Sequence, residues 1–359
     1  MVKFIKKILY SVISKYFPHT LLIEGVLRGT EYPFRCLLVA NSSYFEYLKA
    51  RTFSDSPTVI RKSRIWIPLL RKRILTNADS FDLCIAVLPM ASEPTYRGLY
   101  EYKCTKYVNQ TIDTTGSLDE IKSKFSKQLR NKINKLQKNY RLDYRISNSL
   151  KDFDHFYHRM HVPFIKKRHG DLALIYSYNK LKNSFLKGGL LFVMKDNVEV
   201  AGSLFKIEDK TCVGYRLGVL DGDESHIDVL KAIYYYQIKV AKENGMSSVD
   251  LKGSEPFLND GVYQHKRQWG PTVLPRYEEN SWVYFFNAKP SEKLAKFFEI
   301  NPLIADTDQG LIGIIGIADE ADVFAETIDK LTRQNRARGI QGFTMITQTK
   351  TLNVLDKSW

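Results

Sequence analysis

The stretch DLKGSEPFLNDGVYQHKRQWG, residues 250–270, decides the reading of this chain. It opens on the end of a short strand, Ser248 to Lys252, that is closed by Gly253. Asn259-Asp260-Gly261 is turn chemistry, because Asn and Asp bond their own backbone and glycine accepts any φ. Phe257 to Trp269 reads as a helix or turn segment. Polar chemistry is crowded into these residues. Asp250, Glu255, Asp260 and His265 are side chains able to take a proton from an ammonium. For Asp260 the turn role competes with the chemical one. Lys266 offers a cation three residues before Trp269. Trp269 and Asn259 are candidates for substrate contact, with a core position the competing role for the tryptophan.

Upstream, Ile227 to Lys242 carries Ile227, Leu230, Ile233, Tyr234, Ile238 and Ala241 at helical spacing, and Gly245 is placed to stop that helix. Before it stand three strands, Leu190–Met194, Glu199–Ile207 and Thr211–Leu220, joined by Asp196-Asn197 and Asp209-Lys210 turns. Helices are expected over Leu150–His161, broken at Pro163, and Leu172–Phe185, with a strand over Leu142–Ile146. Ser117 and Glu120 form a capping box that opens one long helix, its stripe running Leu118, Ile121, Phe125, Leu129, Ile133, Leu136, Tyr140. Lys122, Lys124, Lys127, Arg130, Lys132, Lys135 and Lys138 occupy its other faces. Downstream, Thr272–Leu274 and Trp282–Phe286 read as strands.

This order of elements is similar to that of the GNAT superfamily of acyl-CoA N-acyltransferases. Four strings look like its Fem-like branch, which is related to peptidoglycan aminoacyltransferases and envelope-polysaccharide acyltransferases. They are KQLRNKINKLQK at 127–138, FYHRMHVPFIKKRHGD at 156–171, VEVAGSLF at 198–205 and residues 250–270. The resemblance implies an α+β (mixed α/β) fold with a mixed sheet flanked by helices. It implies direct attack of an amine on a thioester or aminoacyl ester, held where the strands Thr211–Leu220 and Ser248–Lys252 splay apart. Backbone near Gly218, Val219 and Leu220 would polarise the donor carbonyl, and the helix starting near His226 would face donor phosphates. Lys266 would stabilise the oxyanion or hold a phosphate, and Asp250 or Glu255 would serve as base. Arg168 and His169 would contact the acceptor. The loop Asp221-Gly222-Asp223-Glu224 departs from the glycine-rich pyrophosphate loop of the family, and its carboxylates repel a pyrophosphate. Aminoacyl-tRNA therefore stands beside acetyl-CoA or another acyl-CoA as the donor.

The 359 residues suffice for two to three domains. The expected division is an N-terminal mixed α/β unit (1–112, a degenerate GNAT-like copy), the GNAT-like core (113–290) and a C-terminal strand-helix-strand extension (291–359). In that extension Gly310, Gly313 and Gly316 lie within a strand, not in a dinucleotide loop, and the tail after Thr349 is expected to be loose. In the N-terminal unit Val59–Leu69 reads as a strand beside a run of cations, Arg61, Lys62, Arg64, Arg71, Lys72 and Arg73. Apolar residues at 44% and charged residues at 26% exclude collagen, coiled-coil rods and wholesale disorder. Leu311–Ala318, the longest apolar run, is too short to span a membrane. Four scattered cysteines without a CxxC pair argue against a cysteine zinc site and for reduced, cytoplasmic thiols. His155, His158 and His161 stand three apart, a poor spacing for metal ligands on one helix, and no metal is expected. The net charge of +15 favours anionic partners. Those considered are an amine-bearing glycan or nucleotide sugar, tRNA, and an anionic membrane met through residues 1–17 and 122–138, at the inner membrane face. A catalytically inactive module that binds nucleic acid or membrane is the rival from another class.

Overall fold

The computed structural model describes residues 16–40, 42–170, 173–223, 229–319 and 325–355. The chain divides into two compact units. The first comprises residues 1–108, 254–264 and 273–359, and the second 109–253 and 265–272. The second unit begins at Asn109. No boundary falls at 290, because Ser281–Phe286 pairs with Leu83–Pro89 and Tyr100–Thr105 inside the first unit.

The first unit holds two sheets. One has the order Thr58–Arg64, His19–Val26, Pro33–Ala40, Leu83–Pro89, Ser281–Phe286, Tyr100–Thr105. Among its described strand pairs only Pro33–Ala40 with Leu83–Pro89 is parallel. The other sheet runs Leu303–Thr307, Gly310–Gly316, Ile340–Ile346, Thr351–Leu355. Its two central strands are parallel and are joined through the helix Ala325–Asn335, the strand-helix-strand unit expected from the sequence. Two expectations are corrected here. Val59–Leu69 is not one strand. The strand ends at Arg64, and Pro68, at the first turn of a helix, starts Ile67–Thr76. Nor is the chain after Thr349 loose, since Thr351–Leu355 pairs with Ile340–Ile346.

Within the second unit the strand order is Val108–Asp113, Ser248–Ser254, Thr211–Val219, Val198–Glu208, Gly188–Lys195, Asp143–Ser147. The last three are an antiparallel meander with Thr211–Val219. Asp196 and Asn197 both take positive φ at the tight turn. The helix Val229–Glu243 covers the sheet with Val229, Leu230, Ile233, Tyr236 and Ile238 buried, and Gly245 at φ 66 ends it. The long cationic helix is two helices, Leu118–Ser123 and Lys127–Tyr140. The capping box at Ser117 is present, and a second cap at Ser126 restarts the helix. Leu150–His161 is not broken at Pro163 either. It passes through a π-helical segment, Phe156–His161, into Val162–His169. The helix expected over 172–185 is confined to Tyr178–Phe185.

All four cysteines are buried free thiols. Burial pushes each thiol pKa up, that of Cys212 to about 12. No described helix is long and apolar enough to cross a membrane. The segment 1–17, expected to meet an anionic membrane, lies almost wholly outside the described residues.

Candidate active site

The site of the second unit is built on a parallel ladder of three residue pairs. Thr211 faces Ser248, Cys212 faces Val249, and Val213 faces Asp250. Past Asp250 the two strands are held by different partners. On the first strand, register against Val198–Glu208 shifts between Gly214 and Arg216. Tyr215 is the extra residue of a bulge, which bends and twists a strand. Gln237, from the covering helix, donates to Ser203 Oγ at 2.7 Å, and Ser203 donates to the Arg216 carbonyl at 3.1 Å. On the second strand, Lys252 adopts φ 66, a left-handed conformation rare outside glycine. Asp250 Oδ1 supports it by accepting the Lys252 N–H at 2.7 Å. The ladder between these strands ends at Asp250, and Asp250 helps to shape the second strand beyond it.

Lys266 belongs to the same corner. It is only 4% exposed, and its Nζ donates to the carbonyls of Lys252 and Gly253, each at 2.8 Å. A buried ammonium needs such partners, and here they are the backbone just past the ladder. Next to it, His265 lies edge-on to Tyr234, with ring centroids 5.6 Å apart. Burial, then the charges of Lys231, Lys266 and Arg168, hold the His265 pKa below its ordinary value. It is a neutral imidazole among three cations. Arg168 is exposed, with its guanidinium 5.7 Å from the Phe164 ring centre. His169 ends the same helix.

Gly218 has a steric role. A Cβ there would lie 2.5 Å from the Met160 carbonyl carbon and 2.6 Å from the His161 nitrogen. Only glycine lets the π-helical segment sit on the strand at this point. Val219 is buried beside it, and Leu220 begins a short turn. His226 and Glu224 lie outside the described residues. Asp221 in that turn is held by Arg159, Nε to Oδ1 at 2.8 Å and Nη2 to Oδ2 at 2.7 Å. One of the carboxylates that argued against a phosphate is therefore already engaged.

His161 is a residue whose importance the sequence did not reveal. It is 1% exposed, and its Nδ1 lies 2.9 Å from the Leu217 carbonyl oxygen. A carbonyl only accepts, so Nδ1 carries the proton and Nε2 presents a lone pair. Burial, reinforced by Arg216 against the Leu217 carbonyl, lowers the pKa and keeps the ring neutral. Nε2 is buried with no hydrogen-bond partner among the described residues, so an acceptor stands ready beside the strand. The three spaced histidines do not converge. His155 faces Glu199 at 3.5 Å and His158 stacks on Tyr178, while His161 turns to Leu217. No set of three ligating residues gathers among the described residues.

Trp269, 1% exposed, packs edge-on to Phe125 at 5.1 Å and against Tyr234 at 5.6 Å, so it is a core residue. The remaining candidates belong to the first unit. Asn259 donates to the Ile300 carbonyl at 2.6 Å and accepts from Arg51. Asp260 Oδ1 caps a helix start, accepting the N–H groups of Val262 and Tyr263 at 3.0 and 2.9 Å. Glu255 is tuned more strongly. Burial raises its pKa to about 7, against the Tyr44 hydroxyl that donates to it at 3.2 Å; Asp260 adds to the rise.

Residues 123–267 match the family model described as a GNAT acetyltransferase domain. That match falls almost wholly within the second unit. Comparison with curated proteins gives no match. Among solved structures, FemX aligns at 12% identity and TM-score 0.42, over 74% of this chain and 84% of that one. L-PGS from Bacillus licheniformis aligns at 12% identity and TM-score 0.39, over 73% and 83%. A GCN5-related N-acetyltransferase from Kribbella flavida aligns at 12% identity and TM-score 0.29, over 70% and 80%.

Proposed function

We propose that the chain transfers an acyl group from acyl-CoA to an amine on an amino sugar or lipid-linked envelope glycan precursor. The observation that carries this reading is the ladder that ends at Asp250, with a His161 Nε2 that is buried and unpartnered among the described residues. Such a lone pair suits an amide N–H of the donor's pantetheine arm, and the engaged Asp221 removes one source of repulsion toward its phosphates. Bound acyl-CoA would supply an activated thioester carbonyl. His265, neutral among cations, is proposed to take the proton from the attacking ammonium. Lys266 positions the Lys252–Gly253 backbone just past that ladder. Arg168, with Lys231, is proposed to receive an anionic group of donor or acceptor. Glu255 remains a proposed base on its pKa.

Calorimetric titration with acetyl-CoA and longer acyl-CoAs tests the donor. One saturable site per chain, weakened in His161→Phe, is the expected result, and no binding to a folded chain rejects it. An acceptor screen of amino sugars follows. In the pH profile of kcat/KM, an acid limb below about 6.5 that disappears in His265→Gln assigns the base. A limb lost in Glu255→Gln and retained in His265→Gln moves that role to Glu255.

Aminoacyl-tRNA is the second donor reading. The helix Lys127–Tyr140 supports it, since it buries Leu129, Ile133 and Leu136 and leaves Lys127, Lys135 and Lys138 exposed toward any polyanion. Transfer from charged tRNA, with no response to acyl-CoA, would select it.

A further inference from the structure

A second region of the first unit has a composition that the transferase reading leaves unused. Between Ser56 and Ala78 the chain carries six cations, Arg61, Lys62, Arg64, Arg71, Lys72 and Arg73, and no carboxylate. The Thr58–Arg64 strand lies at the sheet edge, paired with His19–Val26, and all but Ser63 of it is exposed. The Ile67–Thr76 helix follows it directly and turns Ile67, Leu70 and Ile74 inward. Arg73 donates to Ser63 Oγ at 3.2 Å, which fastens helix to strand. The cations sit close enough to oppose one another. Burial and then Arg61 lower the Arg73 pKa, and burial, Arg64 and Lys62 lower that of His19. The acid nearest on the neighbouring strand, Glu24, is already paired with Arg35 at 3.1 Å.

Large apolar side chains stand exposed among these cations. Trp66 is 48%, Leu69 54% and Leu75 56% exposed, and Val59 and Ile60 project from the edge strand. On the helix, Leu69, Lys72 and Leu75 recur every three residues, so cation and aliphatic side chains neighbour one another. Phe17 stacks on Trp66, with ring centroids 6.4 Å apart. Nucleic acids stack on aromatic rings and take little from isolated Leu, Val and Ile. An anionic bilayer takes all three types: cations at the headgroups, Trp at the interface and aliphatic side chains below it. Residues 1–15 cannot neutralise this face, because they bring four lysines and no carboxylate.

We propose that the face formed by the Thr58–Arg64 strand and the Ile67–Thr76 helix docks on an anionic lipid bilayer. It holds whichever donor the transferase uses, because its test reads binding and not turnover. The full chain is floated with vesicles of phosphatidylcholine alone and with vesicles in which a third of the lipid is phosphatidylglycerol. Binding to the anionic vesicles only is expected, and it weakens as salt rises. Arg61→Glu with Lys72→Glu, both on the helix side of the strand, should weaken it by at least about 30-fold. Leu69→Ser with Leu75→Ser should weaken it several-fold with the charge unchanged. All four positions are exposed, and unchanged melting of each variant shows that the fold is kept. Absence of vesicle binding at low salt overturns the proposal. So does binding that ignores both double variants, or that is lost instead on Lys127→Glu with Lys135→Glu. Tight tRNA binding that the charge-reversal pair abolishes and the leucine pair leaves intact makes this a nucleic-acid face and also overturns it.

Discussion

Single side chains in this protein are tuned by burial more than by opposite charge, and their substitution should be read with that in mind. The Glu255 pKa of about 7 exceeds its ordinary 4.5, so the folded chain holds that proton more tightly than the unfolded one. Ionisation therefore opposes folding. The stabilisation is full below pH 4.5 and is lost as pH rises through about 7. Glu255→Gln should flatten the stability profile across that window. At pH 8 it should be more stable than the parent by roughly 2–3 kcal/mol, measured by urea unfolding. Lys266→Ala leaves two backbone carbonyls without their ammonium and should cost roughly 2–4 kcal/mol. Stability regained in Lys266→Arg with activity still absent would indicate chemistry beyond positioning. His161→Phe keeps the stack on Phe156 but removes Nε2. The KM for the acyl donor should rise about three- to tenfold with kcat little changed.

At the scale of elements, Gly218→Ala tests the seat of the π-helical segment. The added methyl meets backbone that cannot swing aside, so a loss of roughly 1–3 kcal/mol is expected in thermal unfolding. The order of elements and the parallel pair were legible in the sequence. Alternation, the turn residues Asp196-Asn197 and Asp209-Lys210, and the stripe of Val229–Glu243 are all local signals. The breaks inside helices were not. Ser126 restarts a helix in the middle of an unbroken apolar stripe, and Pro163 sits where a new helical turn tolerates it. The π-helical turn has no local signal, because it answers to Gly218, distant in sequence. His161 was hidden for the same reason: its tautomer depends on the Leu217 carbonyl. Lys266 and Trp269 were legible as special and a core place was legible for the tryptophan, but the motif could not show that Lys266 is buried too.

At the scale of the whole molecule, the chain leaves and re-enters each unit, so neither is a continuous piece of sequence. A fragment of residues 113–290 would carry Ser281–Phe286 without Leu83–Pro89 and Tyr100–Thr105. Trp282, Val283, Tyr284, Phe285 and Phe286, all buried in the full chain, would then be uncovered. That fragment should aggregate on expression where the full chain stays monodisperse, as gel filtration would show. The four thiols extend over both units and share one property. Each is enclosed and held protonated at neutral pH. Thiolate is the reactive species, so maleimide and disulfide reagents should find the native chain silent. One cysteine introduced on an exposed helix position then becomes a unique handle. A spin label or fluorophore can be placed there with all four native cysteines kept.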